Sequence, residues 1–174
     1  MEGPPIKVSG AVFSSDRQYR YVLRRVWGDG PSRVCFVCLN PSIADEVIDD
    51  PTQRRLRKFA QDWGYDGYIM GNIFAYISTD PRSLKVIAEV GNPIGNPPAL
   101  NDEYLRSMAK VGDLVVAAWG TWGKFWDRGE HVLKMLQEIK PVYHLGLNQD
   151  GSPKHPLYLK ANSMPRLFIG KPTV

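Results

Sequence analysis

Asn40 and His155 are the side chains best placed to do chemistry in this chain of 174 residues. Asn40 stands in Cys38-Leu39-Asn40-Pro41-Ser42, at the end of an apolar run. His155 stands in Lys154-His155-Pro156-Leu157-Tyr158, shortly after another. An Asn-Pro-Ser string favours a tight turn that presents the amide. The amide oxygen can orient a water but is no base. A carboxylate can serve as one, and Asp45, Glu46, Asp49 and Asp50 follow closely. Asp50 precedes Pro51 in a helix-capping arrangement and reads as the cap. Asp45 has no evident capping role and is the expected base. A histidine before proline is pushed towards extended backbone, which holds its ring out from the loop. The alternative is an ordinary exposed loop residue. The expected catalytic set is therefore Asn40, Asp45 and His155.

Two more segments qualify for substrate contact. Gly71-Asn72-Ile73-Phe74 puts an amide at the end of an apolar run, where it is costly unless hydrogen-bonded. It marks a site or a bulge. Trp119-Gly120-Thr121-Trp122-Gly123 brings glycines that allow close approach of a ligand, with tryptophans that would otherwise cover the core. Leu39, Pro41, Ser42, Asn72, Phe74, Trp119 and Gly120 are the expected substrate contacts. Neither a Walker-type nor a dinucleotide-type glycine fingerprint occurs. The three histidines are dispersed, and the two cysteines, Cys35 and Cys38, sit in a continuous apolar run. They read as small buried hydrophobes rather than a redox pair or half a zinc site. No metal and no cofactor is expected.

These loops need a scaffold. Four apolar runs of strand length, Val34–Leu39, Tyr68–Phe74, Leu114–Trp119 and Pro141–Leu147, lack clean alternation in places, as strands buried on both faces do. Between them lie helical patterns. One starts at Asp50-Pro51, carries Leu56, Phe59, Ala60 and Trp63 on one stripe and ends at Gly64. Others run over Pro81–Val90, Asn101–Val111 and about Arg128 to Lys140. Strands alternating with helices predict a three-layer α/β/α sandwich around a four-stranded parallel sheet. Ala11-Val12-Phe13 and Tyr19–Trp27 add an N-terminal hairpin. The expected organisation is one α/β domain over 1–174, with a hairpin extension (1–32), a core (33–160) and a tail (161–174). The carboxyl ends of parallel strands line the ligand crevice of such sheets, so the Asn-Pro and His-Pro loops can meet there.

Hydrophobic residues make up 43% and charged residues 23%, a globular balance. No apolar stretch reaches the roughly 20 residues of a membrane helix. Met1–Pro5 has neither the basic start nor the apolar run of a signal peptide. A cytoplasmic protein without a membrane partner is expected. The net charge of +4 is compatible with nucleic acid. Arg17, Arg20, Arg24, Arg25 and Arg33 crowd the start of the chain, and Arg54, Arg55, Arg57 and Lys58 crowd one helix. Such clusters supply phosphate contacts or merely a solvated basic face.

Together these motifs resemble the uracil-DNA glycosylase superfamily, especially its mismatch-specific, thymine-DNA glycosylase-like branch. Leu39-Asn40-Pro41-Ser42 is similar to its Asn-Pro loop, Gly71-Asn72 to its second-strand asparagine and His155-Pro156-Leu157 to its His-Pro loop. The whole chain also resembles a small bacterial and phage family of unknown function. That family carries Asn-Pro-Ser, Asp-Asp-Pro-Thr (Asp49–Thr52), Trp-Gly and Gly-x-Pro-x-His-Pro-Leu-Tyr (Gly151–Tyr158). The glycosylase resemblance implies hydrolysis of the N-glycosidic bond of a pyrimidine flipped out of DNA. Asn40 would position water, Asn72 would read the base edge and His155 would stabilise the departing base. Leu157 or Tyr158 would wedge into the vacated stack, with Lys154, Arg54, Arg55 and Lys58 on the DNA. Ser42 replaces the family's glycine and Leu157 its serine, which points to a modified pyrimidine, in phage defence or phage base modification. A non-catalytic nucleic-acid-binding module and a hydrolase of free nucleosides or nucleotides are the alternatives.

Overall fold

Runs rich in Val, Ile and aromatics pair into one mixed sheet in the computed structural model, which describes residues 3–43 and 48–169. Its strands are β1 (Val8–Phe13), β2 (Arg20–Val26), β3 (Arg33–Cys38), β4 (Gly67–Asn72), β5 (Leu114–Ala117), β6 (Val142–His144) and β7 (Arg166–Leu167). Their order across the seven-stranded sheet is β1-β2-β4-β3-β5-β6-β7. The stretch β4-β3-β5-β6 is parallel, and the outer pairings are antiparallel. The α/β class and the parallel centre agree with the sequence reading.

Two expectations need correcting. The expected four-stranded parallel sheet is only the centre of a seven-stranded mixed one, because the N-terminal hairpin, present as expected, joins it: β2 pairs with β4, Leu23 opposite Met70 and Val26 opposite Gly67. The tail likewise adds β7 beside β6. Both follow from the backbone groups along the outer parallel strands, which need partners. The parallel strands also stop short of their apolar runs. Leu39, Phe74, Trp119 and Leu147 therefore lie beyond the sheet, in the loops that carry the candidate residues.

The helices are α1 (Pro51–Asp62), α2 (Ser83–Val90), α3 (Pro98–Val111) and α4 (Arg128–Gln137). α1 buries Leu56, Phe59 and Ala60 against Val34, Phe36, Tyr68, Met70 and Val116. Leu105, Met108 and Ala109 of α3, with Val132, Met135 and Leu136 of α4, pack onto Cys35, Val37, Ile69, Val115 and Ala117. Strand alternation divides these sets, and burying each such aliphatic or aromatic side chain contributes about 1.5–3 kcal/mol. Cys35 and Cys38 fall into different clusters and are both free and buried. Burial pushes the Cys35 thiol up to about 12 and raises Cys38 too. α3 starts three residues before the predicted Asn101, because Pro98 fits a helical first turn.

The basic cluster near the start of the chain does not form one solvated face. Arg20 and Arg25 are 1% and 0% exposed. Arg25 donates from Nε to Asp49 at 2.9 Å and from Nη2 to Gln53 at 3.3 Å, as a buried charge requires. Among the described residues, no helix is long and apolar enough to cross a membrane.

Candidate functional site

The loops leaving the carboxyl ends of the parallel strands enclose a cleft of about 490 Å³. Leu39, Asn40 and Ser42 come from the loop after β3, Ser78 and Thr79 from that after β4, and Trp119 and Gly120 from that after β5. Asp50 and Thr52 at the start of α1, and His155, Leu157 and Tyr158, complete the wall. Asn40 and His155 thus share one cleft.

Asn40 is held at its amide nitrogen. Nδ2 donates to the Ser78 carbonyl at 2.8 Å and the Pro41 carbonyl at 3.2 Å. The Ser78 amide returns a bond to the Pro41 carbonyl at 2.8 Å. With both amide hydrogens engaged, Oδ1 is the end of the side chain left to accept from a ligand or water.

His155 is oriented by its own turn. A short 3-10 turn over Pro156–Tyr158 follows it, and His155 Nδ1 accepts from the Leu157 amide at 3.3 Å. A neutral imidazole accepting at Nδ1 carries its proton at Nε2. Burial pushes the His155 pKa down, opposed by the charge of Asp50. The neutral ring with an Nε2–H donor is therefore the favoured form. Gly120 approaches from the other side. Its φ of 73° and ψ of −170° suit glycine, its amide donates to the Pro153 carbonyl at 2.9 Å, and a Cβ there would lie 3.6 Å from His155 Cβ.

Among the described residues, the carboxylate lining this cleft is Asp50. Its Oδ1 caps α1 by accepting from the Gln53 amide at 2.7 Å, as Asp-Pro predicts. Its Oδ2 accepts from the Ser42 hydroxyl, and the residue lines the cleft. Reading Asp50 only as a cap missed the second oxygen. The signal available in sequence was Ser42, a hydroxyl in the same short connection. Asp45, the expected base, lies outside the described residues.

The remaining candidates divide. Leu39, Ser42, Trp119 and Gly120 line the cleft, while Pro41 contributes its carbonyl. Trp119 is also core, 3% exposed, with Gly123 so close that a Cβ would meet its ring at 2.3 Å. Asn72 and Phe74 are buried at 1% and 0% and are not cleft residues. Asn101 Nδ2 donates to the carbonyls of Asn72 (3.0 Å) and Ile73 (3.3 Å), and Arg128 Nε to that of Ile73 at 2.8 Å. These side chains fasten the end of β4. Leu157 and Tyr158 stand on the rim, 47% and 82% exposed, and Lys154 is half-buried beside them.

The α1 basic residues lie off the cleft and are largely engaged. Arg54 donates to the Asp49 carbonyl at 2.7 Å, Arg55 to that of Leu159, Arg57 to that of Pro4, and Lys58 pairs with Asp62. Among the described residues no group of three or more His, Cys, Asp or Glu is placed to hold a metal ion.

A family model described as "Protein of unknown function (DUF1643)" matches residues 20–157, from the start of β2 into the His155–Tyr158 turn. No curated protein matches, and no solved structure matches.

Proposed function

The chain belongs to this family of unknown function, DUF1643, and we propose that it is an N-glycoside hydrolase acting on a pyrimidine nucleotide of DNA, as the resemblance to uracil-DNA glycosylases implies. The observation that carries the reading is the convergence of Asn40, Asp50 and His155 on one cleft. In the proposed reaction Asn40 Oδ1 and the Asp50 carboxylate hold a water. Its oxygen bonds to the anomeric carbon as the bond from that carbon to the base nitrogen breaks. The water proton passes to Asp50, and the bonding pair leaves with the base. His155 Nε2–H donates to the base oxygen on which the charge develops, the kind of stabilisation that is often the largest catalytic contribution. Asp50 takes the place given to Asp45 in the sequence reading, and Asn72 has no part because its side chain is buried. Trp119 and Trp122 wall a space suited to a planar ring.

The test is release of free base, and of abasic sites cleavable by alkali, from oligonucleotides carrying plain and modified pyrimidines. Asp50→Asn and His155→Ala serve as controls. Release abolished in both variants supports the proposal. No release from any substrate with enzyme in excess overturns it. One observation favours a second reading, hydrolysis of free nucleosides. The α1 basic residues that would bind a duplex are tied to the protein's own carbonyls and carboxylates. Turnover of nucleosides without oligonucleotide turnover would select that reading.

A further inference from the structure

Aromatic side chains continue outward from the rim of the cleft. Thr121 and Trp122 line the cleft and also an adjoining open groove of about 390 Å³, together with Lys85, Lys124 and Phe125. Lys85 Nζ lies 5.4 Å from the centre of the Trp122 ring. Lys124 pairs with Asp150 at 3.1 Å while 64% of its side chain stays exposed.

Beyond Phe125 the chain does something unusual. Trp126 (φ 55°) and Asp127 (φ 50°) are successive non-glycine residues in left-handed backbone, a strained arrangement that a fold retains only where its surroundings enforce it. Its result is that Trp126 is 49% exposed yet stacked on Phe125, ring centres 5.1 Å apart at 21°. Phe125 in turn packs on the buried Phe74 at 5.7 Å, and Arg128 anchors the next residue to the carbonyl of Ile73. An exposed ring on a rigid base is a stacking platform. Also on the cleft rim, Tyr158 is 82% exposed and sits 5.9 Å from the His155 ring.

Platforms of aromatic rings with a few amines are how proteins hold single-stranded nucleic acid, because bases stack on rings irrespective of sequence. Duplex binding instead needs rows of cations along phosphates, and the α1 row lies off the cleft. We infer that the substrate nucleotide is presented within a single strand, its neighbours stacking on the exposed rings of Trp126, with Phe125 beneath it, and of Tyr158, with Lys85 and Lys124 on the phosphates. This rests on the nucleobase reading of the cleft.

Fluorescence anisotropy with a labelled oligothymidylate, alone and as a duplex with its complement, tests the track. The single strand is expected to bind at least about tenfold more tightly than the duplex. Trp126→Ala and Tyr158→Ala should each weaken it by about 5- to 150-fold, and Val111→Ala, exposed at the end of α3 away from the cleft, should leave its affinity unchanged. Should Trp126→Ala fail to fold, as a thermal melt would reveal, Tyr158→Ala and Lys85→Ala decide. Equal or tighter duplex binding, unchanged binding in the rim variants, or no binding of the single strand overturns the track. Base release from free nucleosides without oligonucleotide binding overturns the track and leaves the hydrolytic reading standing. Strand binding lost with the rim variants, but no release from any substrate, supports the track and overturns hydrolysis.

Discussion

Asp50 has two carboxylate oxygens, and the fold gives them different tasks: one caps α1 through the Gln53 amide and the other meets Ser42 in the cleft. Asparagine caps helices nearly as well as aspartate, so Asp50→Asn separates the tasks. The expected outcome is that α1 stays capped while the unfolding free energy falls, since the buried Arg20 loses the nearby charge of Asp50. Base release should fall by about 10²–10⁴-fold, the usual worth of a general base. Asp50→Ala should lose the activity and also about 1 kcal/mol of stability, read by urea denaturation. His155 and His144 set a pH dependence. Burial lowers both pKa values, with Arg166 adding to the effect on His144. As pH falls below about 6.5 the unfolded chain takes up protons that the native rings refuse. Stability therefore drops until the lower native values are passed. The urea midpoint should fall between about pH 7 and 5, less so in His155→Ala. Asp66 and Asp150, whose pKa values are lowered chiefly by hydrogen bonds from Ser32 and Ser152, withdraw their share only at more acid pH. At this scale Asn40 and His155 were legible from residue type and flanking proline. Asp50 was not, because a cap and a site were read as exclusive. Nor was the burial of Asn72, at a strand end whose backbone carbonyls are held by Asn101 and Arg128, far away in sequence.

The parallel strands and their helices were readable because their signals are local: continuous apolar runs, one helical stripe and an Asp-Pro start. The pairing of β2 with β4 and the addition of β7 were not, since which strand supplies a partner to an open edge is decided by the assembled sheet. The left-handed turn at Trp126–Asp127 was equally hidden, with neither glycine nor asparagine to announce it. Gly120 is where an element's geometry bears on the cleft. Its backbone lies in a region reserved for glycine, against His155. Gly120→Ala should cost about 1–3 kcal/mol in a urea melt. It should also reduce base release more than its stability loss explains, because relief of the backbone strain shifts the loop whose Gly120 amide is tied to the Pro153 carbonyl, two residues before His155. A variant that melts lower but turns over normally under native conditions would show that His155 does not depend on this contact.

Whole-molecule charge is a poor guide to partners here. The +4 balance suggests a polyanion-binding face, but folding buries part of it and places the α1 cations off the cleft. Arg20 and Arg25 are buried, and Arg54, Arg55 and Arg57 each cap a backbone carbonyl. What remains beside the cleft is aromatic, with Lys85 and Lys124 as the amines of the track. Binding of a single strand releases counterions in proportion to the phosphates neutralised, with a slope of roughly −0.7 per contact. About two contacts predict that affinity for the labelled strand falls by only about sevenfold between about 50 and 200 mM salt. A protein gripping a single strand's phosphates with six or more cations would lose about 300-fold or more over that range. Anisotropy titrations at several salt concentrations give the slope directly. A steep slope would mean that the basic residues leave their internal partners to meet the strand, and that electrostatics rather than stacking holds it. A shallow slope that persists in Lys85→Ala, alongside the loss expected for Trp126→Ala, would assign the affinity to the rings.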